Sequence, residues 1–243
     1  GGPMSVYEQI SYLKEEEISL LFEIPILSLV KIIQKYTRDE STIHISKVEK
    51  CKQLGIRTIG AATTVDEAIA LQDAGVDAIV ATGFEAGGHR VSFLQSAEDS
   101  LTGTFALIPQ VADAVKIPII AAGGIADARG LQAALALGAD AVQIGTAFLA
   151  TAQSNATQEH RERLFSPHAQ YTTLTKIFTG RLSRGLRSRL TEELKSYEHL
   201  LAPYPLQGKF MGYLIAYPAT ADSNPDIKSY WAGQAAPLLK HKD

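Results

Sequence analysis

Residues 117–146 read IPIIAAGGIADARGLQAALALGADAVQIGT, and this stretch decides the fold. An apolar run of strand length leads through a turn into a helix-like segment and then a second apolar run. A related stretch, IRTIGAATTVDEAIALQDAGVDAIVAT, occupies residues 56–82. Two successive strand–turn–helix–strand copies predict a parallel sheet covered by helices.

The two copies differ at the turn after the first strand. Thr63 and Thr64 occupy this turn in the first copy, whereas Gly123 and Gly124 occupy it in the second. Glycine lets a backbone approach a ligand closely, and the N-terminal end of the following helix favours an anion. The second copy ends in QIGT at residues 143–146, with another glycine at the mouth of the next strand. The contrast predicts an anion site and favours phosphate as the anion.

Composition excludes several classes of protein. The chain has 243 residues, 46% of them hydrophobic and 20% charged, with a formal net charge of −3, which is ordinary for a soluble globular protein. The slightly acidic total argues against nucleic acid as a partner. Cys51 is the single cysteine, so no intrachain disulfide framework exists and a reducing compartment fits. No apolar stretch approaches the length of a membrane span, and we expect a cytoplasmic protein.

The periodicity predicts a regular alternation of elements in the middle of the chain. Predicted helices cover residues 48–54, 65–74, 107–115 and 127–137, with another over 5–20. Predicted strands cover residues 56–62, 78–82, 117–121 and 141–144, with a short one at 24–28. A glycine-rich loop, residues 83–90, follows the second of the four main strands. The tail shows helical patterns over 158–164 and 189–199 and around Tyr230 and Trp231.

These elements predict an α/β fold of the TIM-type (β/α) barrel class. A closed barrel of eight units needs about 250 residues, but only four clear strands are found here. We therefore expect residues 1–150 to form a barrel portion that lacks part of its N-terminal half, which a longer chain would complete. Residues 151–243 are predicted to be a C-terminal helical, capping extension of the same domain.

Three motifs resemble the nitronate monooxygenase family of FMN-dependent TIM-barrel flavoenzymes. They are GFEAGGHR at residues 83–90, AAGGI at 121–125 and QIGTAF at 143–148. The flavin enoyl-acyl-carrier-protein reductases are similar over the same motifs. In the tail, GRLSRG at 180–185 and WAGQ at 231–234 resemble the monooxygenase branch.

The resemblance implies FMN as cofactor and the oxidation of alkyl nitronates by dioxygen to a carbonyl compound and nitrite. The family's catalytic histidine falls on His89, although a histidine in a polar loop is often merely solvated. The cofactor-binding residues it implies are Thr82, Gly87, Gly88, Gly123, Gly124, Gln143, Ile144, Gly145 and Thr146. The amides of Gly124, Gly145 and Thr146 are expected to hold the phosphate. No residue cluster has the spacing of metal ligands.

Several other positions bear on the predicted site, and some of them have two interpretations. Thr82 stands where the family usually carries a glutamine that reaches the flavin. Gln143 places an amide on a strand that we expect to be buried, which requires a ligand or a core hydrogen bond. Glu85 either supports His89 or is a surface charge. Trp231 is expected to pack the tail against the barrel. Tyr204 and Tyr213 have a pocket-lining and a structural interpretation, and the structural one is favoured.

Two other functions fit the same motifs. One is an FMN-dependent NAD(P)H oxidoreductase that acts on quinones or an enoyl thioester. The other is a truncated chain that binds flavin or phosphate without catalysis. A small-molecule nitronate and dioxygen are the expected partners, with no nucleic acid or membrane, and a homo-oligomer is left open.

Overall fold

The computed structural model describes residues 45–216 and 227–240. The elements predicted at 5–20 and 24–28 lie outside these residues. The α-helices are α1 Ile45–Gln53, α2 Val65–Asp73, α3 Thr104–Ala114, α4 Ala128–Ala136, α5 Thr146–Leu149, α6 Gln158–Leu164, α7 Arg189–Glu193 and α8 Leu206–Ala216. The strands are β1 Ile59–Ala62, β2 Ala78–Thr82, β3 Gly88–His89, β4 Ile119–Ala122, β5 Ala141–Gln143, β6 Thr172–Thr175 and β7 Ser183–Leu186. Short 3₁₀ helices cover Pro167–Gln170, Lys195–Leu200 and Ala236–Leu238.

The main sheet has the strand order β1-β2-β4-β5, and every pair in it is parallel. One face of this sheet packs on α2 and α3 through fully or nearly fully buried side chains. From the strands these include Ile79, Ala81, Ile119 and Ala121, and from the helices Ala68, Leu71, Leu107, Ile108 and Val111. Burying one such isoleucine or leucine stabilises the fold by about 1.5–3 kcal/mol. The predicted parallel sheet with helical cover is confirmed.

The other face of the sheet carries the strand ends in register. Thr82 pairs with Ala122, and Ala122 pairs with Gln143. Residues paired in register point to the same face, so these three side chains form one row at the carboxyl edge of the sheet. Ligands of parallel α/β sheets bind at this edge.

The tail contains strands that the sequence patterns did not predict. β3, β7 and β6 form a second, antiparallel sheet, and Trp231 forms an isolated bridge with Gly185. The prediction of a helical tail is therefore wrong in part, as is the prediction that Trp231 lies in a helix. β6 and β7 are short and rich in threonine, serine and glycine, so neither shows an alternation of apolar and polar residues. None of the helices in the described residues is long and apolar enough to cross a membrane.

Candidate active site at the strand ends

The turns after β1 and β4 are the corresponding parts of the two repeated copies, and they are closed differently. After β1, the buried carboxylate of Glu67 turns back and accepts hydrogen bonds from the amide and the hydroxyl of Thr63, both at 2.7 Å. After β4, Asp127 instead caps its own helix by accepting from the amides of Arg129 at 2.9 Å and Gly130 at 3.5 Å. The amide of Thr63 thus has a carboxylate as its acceptor, whereas the amide of Gly123, its counterpart in the second turn, has no acceptor among the described residues.

Several amides near the second turn donate to no acceptor in the described part of the chain. Three of them are the amides that the sequence predicts as phosphate donors. They belong to Gly124, in the turn itself, and to Gly145 and Thr146, which follow β5. Gly124 has a φ of +73°, a left-handed conformation that other residues rarely adopt. A Cβ built on Gly145 meets nothing within 4 Å. These amides can donate to a ligand, and they fit an oxyanion such as a phosphate.

Gly123 has a different role from Gly124. Its φ is +102°, and a Cβ there would lie 3.0 Å from the amide nitrogen of Ala86 and 3.2 Å from the carbonyl oxygen of Gly83. A side chain would force the loop after β2 to move. Gly123 therefore allows two loops to pack closely.

His89 lies in β3, just beyond the loop that follows β2. Its Nε2 lies 2.8 Å from the hydroxyl oxygen of Thr179. The rings of Tyr204 and Trp231 flank the imidazole, each with a centroid distance of 5.8 Å. Burial, reinforced by the positive charge of Arg181, lowers the pKa of His89 to about 4. The imidazole is therefore neutral at pH 7.

Three residues contact His89, and the sequence predicted none of these contacts. Thr179, Tyr204 and Trp231 lie far apart in the chain, and each belongs to the tail. Trp231 not only packs the tail, as expected, but also lies against the histidine ring. The WAGQ motif was a signal for Trp231, whereas no local pattern could have placed Thr179 or Tyr204 beside a loop about a hundred residues away.

Glu85 caps helix α3 and takes neither of its two expected roles. Its carboxylate accepts hydrogen bonds from the amide of Thr104 at 2.8 Å and from the Thr104 hydroxyl at 2.9 Å. Gly103, at the N-cap position, has no side chain that could do this. The carboxylate explains why α3 begins at Thr104, before the predicted start at residue 107.

Two buried arginines hold the loop that leads to His89. The fully buried Arg90 donates to the carbonyl oxygens of Gly83 at 2.6 Å and Thr82 at 3.1 Å. Arg184 is also buried, donates to the carbonyl oxygen of Phe84 at 3.1 Å and lies over the Phe84 ring. Burial and the nearby charge of Arg90 lower the pKa of Arg184 to about 10. The loop is therefore fixed from two sides.

The other predicted cofactor residues lie along the same edge of the sheet. Thr82 donates its hydroxyl to the carbonyl oxygen of Val80 at 3.3 Å. Gln143 is exposed, so the expectation of a buried amide is wrong: β5 pairs only with β4 among the described strands, which leaves its other side open. Ile144 packs its side chain against the core, leaving its backbone for any ligand contact.

The tail brings the His89 loop and the strand ends together. A Cβ on Gly87 would lie 2.6 Å from the carbonyl carbon of Ala232, and the amide of the next residue, Gly233, donates to Thr146 Oγ1 at 2.9 Å. Gly88 has a φ of +79°, and a Cβ there would meet nothing within 4 Å. One tail segment thus contacts both the loop that carries the histidine and the residues that offer free amides.

This arrangement has counterparts among known proteins. The sequence model described as "Nitronate monooxygenase" matches residues 40–242. The chain belongs to the nitronate monooxygenase family. Among curated proteins, a probable nitronate monooxygenase of Staphylococcus aureus strain JH9 is 44% identical over 194 residues, which are 79% of this chain and 54% of that protein. The chain spans about half the length of the curated relatives it matches.

Two solved structures are also similar to this chain. A nitroalkane oxidase from Streptomyces ansochromogenes is 38% identical with a TM-score of 0.74, and the match covers 81% of this chain and 56% of that one. FabK from Thermotoga maritima is 32% identical with a TM-score of 0.64, and the match covers 85% and 59%. These neighbours have the TIM-barrel fold, which confirms the predicted fold class.

Proposed function

We propose that the protein is a flavin oxidoreductase that uses FMN and dioxygen to oxidise alkyl nitronates and the nitroalkanes from which they form. The observation that carries this proposal is the joining of two features by one tail segment. The first is a neutral histidine enclosed by aromatic rings, and the second is a set of amides with no protein acceptor. Residues 231–233 contact the His89 loop and Thr146 together.

The residues at the strand ends fit the phosphate of FMN. The free amides of Gly124, Gly145 and Thr146 are the donors that would hold it. One such site, without a dinucleotide fingerprint after a first strand, favours FMN over FAD. When bound, the flavin supplies the electron chemistry, taking two electrons from the substrate and passing electrons to dioxygen.

His89 would accept a proton from the carbon beside the nitro group. Its pKa of about 4 makes it a weak base, but the imidazole is in the neutral, accepting form at pH 7. The charge of Arg181, which lowers that pKa, also favours an anionic nitronate nearby. Tyr204 and Trp231 enclose the ring and would limit the access of water to the reacting carbon.

An FMN-dependent NAD(P)H oxidoreductase is the second candidate. The TM-score of 0.64 to FabK favours it, because the same strand ends could hold the same cofactor. The two functions differ in the source of electrons, which is the nitronate in one and a pyridine nucleotide in the other.

Oxygen consumption and flavin reduction separate the two functions. We expect the purified protein with FMN to consume oxygen with an alkyl nitronate in the absence of NADH and NADPH, and to release nitrite. Rapid bleaching of the flavin by NADH or NADPH, with nitronates leaving it oxidised, would contradict the proposal and establish the reductase.

A further inference from the structure

The hydroxyl of Thr179 makes three polar contacts. It lies 2.8 Å from Nε2 of His89 and 3.2 Å from the carbonyl oxygen of Arg181, and the amide of Arg181 lies 3.3 Å away. A threonine oxygen has one proton to donate and two lone pairs to accept with. The three contacts therefore use the proton and both lone pairs of the hydroxyl. Whether a partner can donate or accept decides which of these it contacts.

The position of the hydroxyl proton follows from the two Arg181 groups. The amide can only donate, so it occupies one lone pair of Thr179, and the carbonyl can only accept, so it takes the proton. The remaining lone pair must accept from His89, which requires a proton on Nε2. The opposite tautomer would direct the threonine proton to His89 and leave two acceptor oxygens facing each other at 3.2 Å, which is unfavourable in a half-buried site.

The other ring nitrogen is then unprotonated. No residue in the described segments hydrogen-bonds Nδ1 of His89. Because burial keeps the ring neutral, it carries a single N–H proton, which Thr179 holds on Nε2. We propose that Nδ1 of His89 is the atom that accepts the substrate proton and that Thr179 is the positioning residue that presents it.

The catalytic part of this inference rests on the proposed function. The C–H bond beside the nitro group breaks, its electron pair moves onto the nitro group to give the nitronate, and the proton goes to Nδ1. In the imidazolium that forms, the Nε2 proton stays on the ring and donates to the hydroxyl oxygen of Thr179, while the new positive charge pairs with the nitronate anion. The net charge of the pair does not change in this step.

NMR spectroscopy tests the tautomer without using activity. The protein is labelled with ¹⁵N-histidine, and the His89 signals are identified by their absence in His89→Asn. We expect the shifts of an unprotonated Nδ1 and a protonated Nε2 at pH 7. An unprotonated Nε2 would overturn the proposal, whatever the protein catalyses.

Substitution of Thr179 tests the catalytic consequence. Thr179→Val keeps the shape but removes the hydroxyl. It should lower turnover of a neutral nitroalkane by about 10–100-fold, by analogy with the loss when a metal-bound histidine loses the hydrogen-bond partner that orients it. Thr179→Ser keeps a hydroxyl and should retain most of the activity. Thr173→Val, which removes a threonine hydroxyl on the nearby strand β6, should leave turnover unchanged.

Turnover of a preformed nitronate completes the test, because it needs no proton removal. We expect Thr179→Val to affect it much less than the neutral nitroalkane. Equal losses with both substrates, or no rescue by Thr179→Ser, would reduce Thr179 to a structural residue and overturn its positioning role. No turnover of either substrate by the wild-type protein would refute the proposed function and the catalytic role of Nδ1, while the NMR spectrum would still decide the tautomer.

Discussion

Gly87 lies so close to the backbone of Ala232 that no side chain fits between them. A Cβ on Gly87 would come within 2.6 Å of both the Ala232 carbonyl carbon and the amide nitrogen of Gly233. Because both atoms belong to the backbone, neither can rotate away. Through this contact the tail is held against the loop that carries His89.

Gly87→Ala should therefore separate the tail from the loop. We expect the free energy of unfolding to fall by about 1–3 kcal/mol, the usual cost of an added methyl group where packing is already complete. Urea denaturation measures this. Gly145→Ala is the matched control, because its Cβ would meet nothing within 4 Å, and equal stability of the two variants would show that the tail does not pack on Gly87.

Arg90→Met should destabilise the protein more than the same substitution of an exposed arginine would. Arg90 is fully buried and donates to three carbonyl oxygens, those of Thr82, Gly83 and Ser100. The Gly83 carbonyl keeps the amide of Ala86 as a donor at 3.1 Å, whereas the other two are left without one at a cost of about 1 kcal/mol or more each, so we expect a loss of at least about 2 kcal/mol. Arg57→Met is the control, since that side chain is 87% exposed and a surface pair is worth about 0–1 kcal/mol. Similar losses would contradict the anchoring role.

His89→Asn should spare FMN binding and lower turnover. We expect a loss of about 10²–10⁴, the range for removing a positioned acid–base group, in steady-state oxygen consumption. The loss should be greater for neutral nitroalkanes than for preformed nitronates, because only the former give up a proton. Small and equal losses of turnover for both substrates would show that His89 does not act as the base.

The lowered pKa of His89 predicts a pH dependence of stability. The pKa falls from the ordinary 6.5 in the unfolded chain to about 4 in the folded protein. Below pH 6.5 the unfolded chain binds a proton that the folded protein does not, so stability should be lost progressively as the pH falls towards 4. Above pH 6.5 this histidine contributes no pH dependence.

An NMR titration of His89 measures its pKa in the folded protein directly. We expect a midpoint near 4, and a higher midpoint in Arg181→Gln, because removing the guanidinium removes its repulsion of the imidazolium. Arg181→Lys keeps the charge and should leave the midpoint low. A wild-type midpoint at the ordinary histidine value would show that the ring is solvated.

The sequence predicted the elements whose apolar residues recur with a regular period. The strand at 78–82 and the helix at 158–164 have the predicted bounds. Local patterns decide these features, since each depends on residues close together in the chain.

The surroundings of His89 could not be predicted in the same way. Thr179, Tyr204 and Trp231 reach it only because the tail pairs β7 with β3 and folds back over the loop. Glu85 was misjudged for a related reason, because its partner is the start of a helix nineteen residues later. Contacts set by tertiary packing leave no periodic signal.

Identification of the released cofactor tests the central claim most directly. We expect the purified protein to be yellow and to release FMN on denaturation. Gly124→Asp should lose the flavin, because its carboxylate would stand where we propose that the phosphate binds, whereas Gly124→Asn, which has the same shape and the same backbone demand, should lose much less. Release of FAD, or flavin retained equally by Gly124→Asp and the wild-type protein, would contradict the account.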